Sequence, residues 1–421
     1  MSAALPSVAI VVDFGAASPM SILAAARGLA QVVFVCDRRR PYVHALFDDL
    51  AALGTVCDVT DLSDDQIDGH PALRHLDAIT TFSEHQLVRT AALAHRRGLP
   101  FLSPDAAVAA TDKYRQRELL AEAGVQHTPS RIVRFRDGPA ALAAALAETG
   151  LPAVLKPRSG AASARTCLIH TVGEAEARLR EFTVGAEADE FVVEQMLTGD
   201  PAITAAGWGD YVSVESVTSY GHTRHIEITG KFPLASPLRE TGYVVPALLD
   251  EDTRRRALDL TSAALMALGV GHGASHVELK LTPTGPRIIE VNARVGGYVA
   301  DLIRRARGYD LIRAALQAAL GRPCTEPPAG YRRHAFQYFV TPPMAAERLR
   351  RIDGIDELLQ HRGVHLVEAV KEPGTRVDWR DGTLAYVAIV HGSGADHGEV
   401  LDLVETIRRT IRVEYDERAS D

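Results

Sequence analysis

Two short segments near residue 280 carry acidic, amide and basic side chains at the spacing of β-strands. One segment reads His-Val-Glu-Leu-Lys and ends at Lys280, and the other reads Glu-Val-Asn-Ala-Arg and ends at Arg294. Side chains two residues apart on a strand share a face, so Glu278 points the same way as Lys280. On the second strand, one face carries Glu290, Asn292 and Arg294.

Pairing of these two strands through the turn at 282–286 would bring the polar side chains to one surface. Carboxylate and amide oxygens suit hard divalent cations, and Mg²⁺ on nucleotide phosphates is typically held by one or two carboxylates. Without a cation, the clustered carboxylates would repel each other. The apolar neighbours Ile288, Ile289 and Val291 indicate a buried strand rather than a solvated face with alternating charges.

Lysine is rare in this chain. Of the 46 basic residues only five are lysines, namely Lys113, Lys156, Lys231, Lys280 and Lys371. Because arginine serves as the general surface cation, the remaining lysines are enriched at positions that need a compact, flexible ammonium group.

Several of these positions suit a nucleotide. Lys156 ends an apolar strand directly before a loop of small residues at 159–163; a buried lysine is costly unless it meets an anion, and the N–H groups of such a loop bind phosphate oxygens. Lys113 lies in the first turn of a predicted helix, where the helix dipole disfavours a cation unless an anion also binds. Another apolar strand leads into Glu194 and a linker at 195–197, whose N–H and C=O groups suit the edge of an adenine ring.

The elements that position these residues begin with a doubly wound domain. Apolar runs predict parallel strands at 7–15, 31–37 and 77–83, separated by helices. The turn after the first strand carries a single glycine, Gly15, and lacks the G-x-G-x-x-G pattern. The sequence therefore does not support a dinucleotide site in this domain.

Beyond residue 104 the pattern changes to longer helices and antiparallel strands. Thr111 is predicted as the N-cap of a helix that stops at Gly124. Further helices are predicted at 139–148, 250–268 and 398–410. Strands are predicted at 152–157, 166–170, 191–197, 211–217, 223–229, 275–281, 286–292, 334–340, 364–370 and 384–391. Trp379 would either cap a pocket or form a contact in a homodimer, and the sequence leaves both open.

Composition limits the classes of function. The net charge is −8, which gives no general attraction for nucleic acid or an anionic membrane. Neither a membrane-spanning segment nor a signal peptide is predicted. The cysteines lack C-x-x-C spacing, which is typical of reduced cytoplasmic thiols, at Cys36, Cys57, Cys167 and Cys324. We therefore expect a cytoplasmic protein without nucleic-acid or membrane partners.

The ordered series of lysines, carboxylates, amide and arginine resembles the ATP-grasp fold. Glu290 follows Glu278 by twelve residues, and Asn292 and Arg294 follow at intervals of two. The resemblance covers about 105–322. Within the superfamily the chain is most similar to carboxylate–amine ligases related to the L-amino-acid ligases, which make dipeptides. The stretches that carry this likeness are 78–84, 240–246 and the region that begins at His334.

The resemblance implies a mixed α/β and α+β architecture in four parts. These are an N-terminal doubly wound α/β domain at 1–104, the small lid subdomain of the ATP-grasp fold at 105–195, its large catalytic subdomain at 196–328, and a small C-terminal α/β subdomain at 329–421. It implies ATP and Mg²⁺ as cofactors, with one or two ions and Mn²⁺ as a substitute. The implied partners are a small-molecule carboxylate and an amine.

The resemblance also implies roles for individual residues. ATP would be bound through its phosphates, adenine and ribose by Lys113, Lys156, Ser163, Lys280, Glu194, the backbone of Gln195 and Leu197, and Asp200. Mg²⁺ would be coordinated by Glu278, Glu290 and Asn292. Arg294 would stabilise an acyl phosphate and bind the substrate carboxyl group, and Lys231 lies where related enzymes often have an active-site lysine. The substrate pocket would be bordered by Glu84, Tyr243, Gly296 and Gly297.

Two positions depart from the family pattern. The phosphate loop has Ala161 and Ala162 where relatives usually carry glycines, and we expect a stiffer loop because alanine tolerates fewer backbone angles. Ala293 stands where a proline is usual between Asn292 and Arg294, which should change rigidity more than chemistry.

The activity implied is ATP-dependent ligation. ATP phosphorylates a carboxylate, and an amine then displaces phosphate from the acyl phosphate to form an amide. Because an acyl phosphate hydrolyses in water, we expect the loop at 159–166 to act as a lid.

Three alternatives remain open on sequence alone. They are an ATP-grasp enzyme of nucleotide or carboxylation metabolism, an ATP-binding sensor without turnover, and a nicotinamide dehydrogenase built on residues 1–103. Retention of all the proposed metal ligands and of Arg294 disfavours the sensor, and the missing glycine pattern disfavours the dehydrogenase.

Overall fold

The computed structural model describes residues 4–183 and 189–417. Its N-terminal part forms a four-stranded sheet of order β3-β2-β1-β4 in which all neighbours are parallel. Its elements are β1 Ser7–Val11, α1 Pro19–Ala26, β2 Gln31–Cys36, α2 Pro41–Leu53, β3 Thr55–Asp58, α3 Asp64–Asp68, β4 Ala78–Thr81 and α4 Leu87–Arg97. The doubly wound prediction is confirmed. Glu84 follows the end of β4 by three residues and therefore lies beyond the carboxyl end of this strand.

Two helices, α5 Pro104–Thr111 and α6 Lys113–Glu122, connect this domain to the rest of the chain. The prediction that Thr111 caps α6 is wrong. The Thr111 hydroxyl donates back to the Ala107 carbonyl within α5. Asp112 is the N-cap instead, and its Oδ1 accepts from the backbone N–H groups of Tyr114 and Arg115.

A second four-stranded sheet lies between residues 130 and 195, and we call it the lid sheet. It is antiparallel, with order β5-β8-β6-β7. It contains β5 Ser130–Val133, α7 Gly138–Thr149, β6 Ala153–Pro157, β7 Cys167–Ile169, α8 Val172–Thr183 and β8 Phe191–Gln195. The two helices pack on one face of the sheet around a core that includes Leu146, Leu155 and Phe182. Lys156 and Glu194 therefore lie on adjacent central strands of one small sheet.

A central sheet of eight strands, ordered β13-β12-β9-β10-β11-β14-β17-β16, carries the rest of the site. The elements from residue 211 to residue 319 are β9 Tyr211–Ser219, β10 His222–Lys231, β11 Gly242–Val245, α9 Glu251–Ala267, β12 Gly273–Thr282, β13 Gly285–Asn292, α10 Val299–Arg307 and α11 Leu311–Ala319. The elements of the C-terminal region are β14 His334–Val340, β15 Ala346–Asp353, α12 Ile355–Leu359, β16 Val364–Ala369, β17 Ala388–Gly394, α13 His397–Thr410 and β18 Arg412–Glu417.

Three of the C-terminal strands, β14, β17 and β16, extend the central sheet. Strand β14 pairs with β11, while β15 and β18 form a separate two-stranded sheet. The strand predicted at 384–391 begins later, at Ala388, because the 3-10 turn Trp379–Ala385 precedes it and contains Gly382 at φ 65°. In the described ranges we find no helix that is both long and apolar enough to cross a membrane. The domain boundaries at 104, 195 and 328 stay predictions.

Candidate active site

A cleft between the lid sheet and the central sheet gathers most of the predicted site residues. It is lined by Lys113, Val154, Lys156, Pro157, Gly160, Ala161, Ser163, Ala164, Thr166, Glu194, Gln195, Met196, Leu197, Tyr211, Leu234, Leu238, Glu240, Glu278, Lys280, Ile289 and Glu290. We refer to this space as the main cleft. Residues far apart in the chain meet here because both sheets present one face to it.

The two predicted acidic residues lie directly opposite each other. Strands β12 and β13 pair so that Glu278 faces Glu290 and His276 faces Asn292. Directly opposed residues on antiparallel strands project from the same face. The prediction that both carboxylates share one surface is therefore confirmed.

A β-bulge shapes the cleft side of β13. The register shifts beyond Glu278 so that Leu279 pairs with Ile288, and Ile289 is left as the extra residue. Ile289 and Glu290 consequently both line the main cleft. This bulge places an apolar side chain beside an acidic one, which strict two-residue alternation does not predict.

Glutamine side chains cover the outer edge of β13. Gln126 accepts from the Ile288 N–H at 2.7 Å and donates to the Ile288 carbonyl at 2.9 Å. Gln116 makes the same pair of hydrogen bonds with Val291, at 2.9 and 3.0 Å. An unpaired edge exposes backbone groups, so these amides complete the hydrogen bonding of the strand and attach α6 to it.

Four of the five lysines converge on this region. Lys113, Lys156 and Lys280 line the main cleft. The Lys113 ammonium lies 3.0 Å from a Glu290 oxygen and donates to the Gly160 carbonyl of the small-residue loop at 2.6 Å. Lys280 donates to Asp210 at 2.6 Å. The expectation that the rare lysines occupy special positions agrees with this placement.

A buried network holds Lys156 in place. Its ammonium lies 2.6 Å from Glu194, and the Arg117 guanidinium contacts both Glu194 oxygens at 2.9 and 3.1 Å. Burial lowers the pKa of Lys156, while the Glu194 charge opposes that shift. Burial alone would raise the pKa of Glu194, but the charges of Arg117 and Lys156 outweigh it and bring the pKa to about 2. Arg117 was not identified from the sequence.

Because the pKa of Glu194 is depressed in the folded protein, the free energy of unfolding depends on pH in the acidic range. The native pKa lies below the ordinary value of 4.5, so the stabilisation is complete above that value and is lost as the pH falls towards about 2. We expect the stability advantage of the wild type over Glu194→Gln, measured by urea unfolding, to shrink by about 2 kcal/mol between pH 5 and pH 3.

The exposed Glu122→Gln substitution on α6 is the matched control, because it makes the same chemical change outside the network of Arg117, Lys156 and Glu194. A difference between Glu194→Gln and the wild type that stays constant with pH would contradict the assigned shift.

Lys231 lies behind the cleft wall and not in it. Its side chain is fully buried, pairs with Glu240 at 2.9 Å and stands 3.9 Å from the centroid of the Tyr243 ring. The Tyr243 hydroxyl donates to the other Glu240 oxygen. Glu240 itself lines the main cleft. Lys231 and Tyr243 therefore contact a cleft residue, Glu240, to which the sequence analysis assigned no role.

Arg294 joins the N-terminal domain to the central sheet. Its Nε lies 3.0 Å from a Glu84 oxygen, and its guanidinium donates to the Asn292 side-chain oxygen at 3.2 Å. Burial raises the pKa of Glu84, Arg294 opposes the shift and Glu290 adds to it. Arg294 therefore links Glu84 to Asn292 by direct contacts, and the charge of Glu290 lies near enough to act on Glu84.

The two predicted glycines differ in their surroundings. A Cβ on Gly296 would lie 2.4 Å from His276 Nδ1, so only glycine fits there. A Cβ on Gly297 would meet nothing within 4 Å. Gly296 therefore allows close packing behind the carboxylates, whereas Gly297 borders open space.

A buried histidine supports Glu278. His276 Nδ1 lies 2.9 Å from both Glu215 oxygens, and its Nε2 lies 3.3 Å from Glu278. Burial raises the pKa of Glu278, but the hydrogen bond from His276 and the charge of Lys231 bring it to about 2. Glu215 was missed in the sequence, although a glutamate inside the apolar strand β9 is a usable signal.

The loop at 159–166 adopts unusual backbone angles. Ala162, Ser163 and Arg165 have φ of 58°, 54° and 49°, in the left-handed region that costs free energy for residues other than glycine. Gly160, Ser163 and their neighbours line the main cleft. Alanine therefore takes the conformation that glycine adopts easily, and contacts from elsewhere must hold it there.

The predicted adenine and ribose contacts lie at the end of β8 and in the linker that follows it. Gln195 and Leu197 line the main cleft, but the Gln195 N–H already donates to the Pro129 carbonyl at 2.9 Å. Asp200 is not among the lining residues; its carboxylate accepts from the Ala202 N–H at 2.8 Å. The structure thus brings Asp200 near the linker but not into the cleft.

Comparison with known proteins gives this geometry a family. Residues 149–301 match the ATP-grasp domain model. An uncharacterized protein of Sinorhizobium fredii is 30% identical over 347 residues, covering 79% of this chain and 68% of that protein. Alanine–anticapsin ligase of Bacillus subtilis is 27% identical over 369 residues, covering 80% and 77%. A crystal structure of L-amino acid ligase from Bacillus licheniformis aligns with a TM-score of 0.75 at 22% identity over 98% and 99% of the two chains, which shows a common fold.

The fold and these similarities define an ATP-dependent ligase, and its main cleft carries two opposed carboxylates and three lysines. The chain belongs to the ATP-grasp superfamily, among its carboxylate–amine ligases. It is an ATP-dependent enzyme that forms carbon–nitrogen bonds.

Proposed function

We propose that this protein joins the carboxyl group of one amino acid, or of an amino-acid-like acid, to the amino group of another through an acyl phosphate. The observation that carries the proposal is the Arg294–Glu84 ion pair at 3.0 Å, next to the opposed carboxylates Glu278 and Glu290. An amino acid carries a carboxylate and an ammonium group, and each would find its opposite charge here. The names of the similar ligases from two Bacillus species support amino-acid substrates.

ATP would occupy the main cleft. Lys113 and Lys156 would bind its phosphates together with the loop at Ser163, and Lys280 would add positive charge. Adenine would lie against Glu194, Gln195 and Leu197. The buried Tyr211 hydroxyl lines the cleft and has no hydrogen-bond partner among the described residues, which suits a polar ligand there.

Mg²⁺, with Mn²⁺ as a substitute, would be held by Glu278, Glu290 and Asn292. In the described ranges no group of three or more acidic, histidine or cysteine side chains is gathered as a metal site. The two carboxylates and one amide oxygen of Glu278, Glu290 and Asn292 fit Mg²⁺, which uses one or two carboxylates and completes its shell with phosphate oxygens and water. The ion supplies neutralisation of phosphate charge during phosphoryl transfer.

The protein's own groups would guide two displacements. A carboxylate oxygen of the first substrate attacks the terminal phosphorus of ATP, and ADP leaves; Lys113 and Lys156 stabilise the charge that spreads over the phosphoryl oxygens. Arg294 then holds the acyl phosphate while the second substrate's amine attacks its carbonyl carbon. Phosphate leaves and the amine gives up a proton, so one amide, one ADP and one phosphate form per turnover.

The test is release of ADP and phosphate with the twenty amino acids supplied in pairs, together with ATP and Mg²⁺. We expect release that requires both an acid and an amine, with a dipeptide detected by mass spectrometry. Release that needs bicarbonate and a ribonucleotide instead would show an enzyme of nucleotide metabolism. No release with any pair would favour an ATP sensor. The cytoplasmic location and the homodimer stay predictions.

A further inference from the structure

The C-terminal part of the chain contacts the phosphate loop through one short turn. We call the 3-10 turn Trp379–Ala385 the C-terminal clamp. The Thr383 N–H donates to the Ala162 carbonyl at 2.8 Å, and the Arg165 N–H donates to the Arg380 carbonyl at 2.8 Å. Two backbone hydrogen bonds therefore join the clamp to the loop whose residues adopt left-handed angles.

Gly382 lies where the two segments approach most closely. A Cβ at this position would stand 2.1 Å from the Ala162 oxygen and 2.5 Å from the Ala164 nitrogen. These are backbone atoms, which cannot rotate away as the end of a side chain could. The present position of the phosphate loop therefore requires glycine at 382, and its φ of 65° also favours glycine.

The clamp is also anchored in the lid. Trp379 is 4% exposed and belongs to the lid's apolar core, where its ring lies 5.8 Å from that of Phe182. Arg178 of α8 stacks over the Trp379 ring at 5.1 Å, and Arg380 lies 3.8 Å from Glu181 on the same helix. Trp379 is thus packed inside the lid and is not among the residues that line the main cleft. The C-terminal region thus holds the lid as well as its loop.

The same turn reaches the floor of the main cleft. The Thr383 hydroxyl accepts from the Glu240 N–H at 3.2 Å, and Glu240 holds Lys231 at 2.9 Å. Directly after the clamp, the Tyr386 hydroxyl lies 2.6 Å from that of Tyr298, which follows Gly297. The turn therefore contacts the phosphate loop and the Lys231–Glu240 pair, and the residue directly after it contacts the segment that follows Arg294.

We propose that the C-terminal clamp keeps the phosphate loop over the acyl phosphate and so excludes water until the amine has reacted, with Gly382 and Thr383 as positioning residues. The inference rests on the proposed function, because an acyl phosphate must form for water to matter. If the loop moves away, water attacks the acyl phosphate and returns the carboxylate and free phosphate. ATP is then consumed without amide formation.

The first test uses Gly382→Ala, with Gly374→Ala as the matched control. Gly374 is also a C-terminal glycine with positive φ, but a Cβ there would meet nothing within 4 Å. We expect Gly382→Ala to release more than about two phosphates per amide, against one in the wild type, and to raise KM for ATP about tenfold. Gly374→Ala should keep the wild-type ratio and KM.

Limited trypsin digestion reports on the clamp independently of ligase activity. Arg165 lies in the phosphate loop, and its N–H is bonded to the clamp. We expect cleavage after Arg165 to be about tenfold faster in Gly382→Ala than in the wild type or the Gly374→Ala control. If the wild type makes no amide from any amino acids, the proposed function fails, yet digestion still tests the clamp.

Thr383 supplies a second, milder variant in case Gly382→Ala does not fold. Thr383→Val removes the hydroxyl that accepts from the Glu240 N–H, and Thr383→Ser retains it. We expect Thr383→Val to raise the ratio of phosphate released to amide formed. Thr383→Ser should show the wild-type ratio. A wild-type ratio and a wild-type cleavage rate in folded Gly382→Ala or in Thr383→Val would overturn the proposal.

Discussion

Replacement of Glu290 by glutamine is expected to lower ADP formation by about 10³-fold with the fold intact. Glu290 contributes one of the two opposed carboxylates and also contacts Lys113 at 3.0 Å. An amide oxygen is a weaker ligand for Mg²⁺ and carries no charge to orient Lys113. The measurement is the initial rate of ADP release at saturating ATP, alongside thermal unfolding of the same sample.

The matched control for this variant is Glu414→Gln on the exposed strand β18, where the same chemical change should leave the rate unaltered. The Lys113 ammonium retains its hydrogen bond to the Gly160 carbonyl, so the unfolding temperature of Glu290→Gln should stay close to that of the wild type. Retained turnover in a folded Glu290→Gln sample would count against the metal assignment.

Replacement of Arg294 by lysine is expected to lower amide formation by about 10²-fold although the positive charge is kept. The guanidinium contacts Glu84, the Asn292 oxygen and the Val295 carbonyl through three different nitrogens. A single ammonium group cannot replace that planar set of donors, so both the ion pair and the presentation of Asn292 would be disturbed. The effect should appear in kcat for the amide more than in KM for ATP.

Arg304→Lys provides the control for Arg294→Lys. Arg304 lies on α10, its side chain is 66% exposed, and it pairs with Asp301 at 2.8 Å. Exposed ion pairs of this kind contribute little to stability. Because Arg304→Lys also keeps the charge at an exposed position, the rate of amide formation should not change. Equal rates for Arg294→Lys and the wild type would show that Arg294 does not touch the reacting groups.

The opposed carboxylates illustrate what strand periodicity reveals. Glu278, Glu290 and Asn292 could be assigned to one face because side chains alternate along a strand with a period of two and because one short turn joins the two strands. The lysines were recognisable from their rarity in an arginine-rich chain. Both signals are local, and neither needs information about distant segments.

Other parts of the site depend on contacts that spacing does not encode. Arg117 reaches Glu194 across 77 residues, and the pair Glu84 and Arg294 joins two domains. Thr383 meets Glu240 across 143 residues. The identity of each partner is set by how the sheets pack, because many arginines, glutamates and threonines in the chain have the same local sequence signals.

The amino-acid sequence by itself determined the fold class, the positions of most strands along the chain and the carboxylate, amide and lysine set that we propose for the nucleotide site. Tertiary structure alone decided the bulge at Ile289, the glutamines on the edge of β13, the placement of Asp200 outside the cleft and the attachment of the C-terminal clamp to the lid. The physical reason is range: alternation and capping act over a few residues, whereas burial, ion pairing and close packing join segments that only the folded chain brings together.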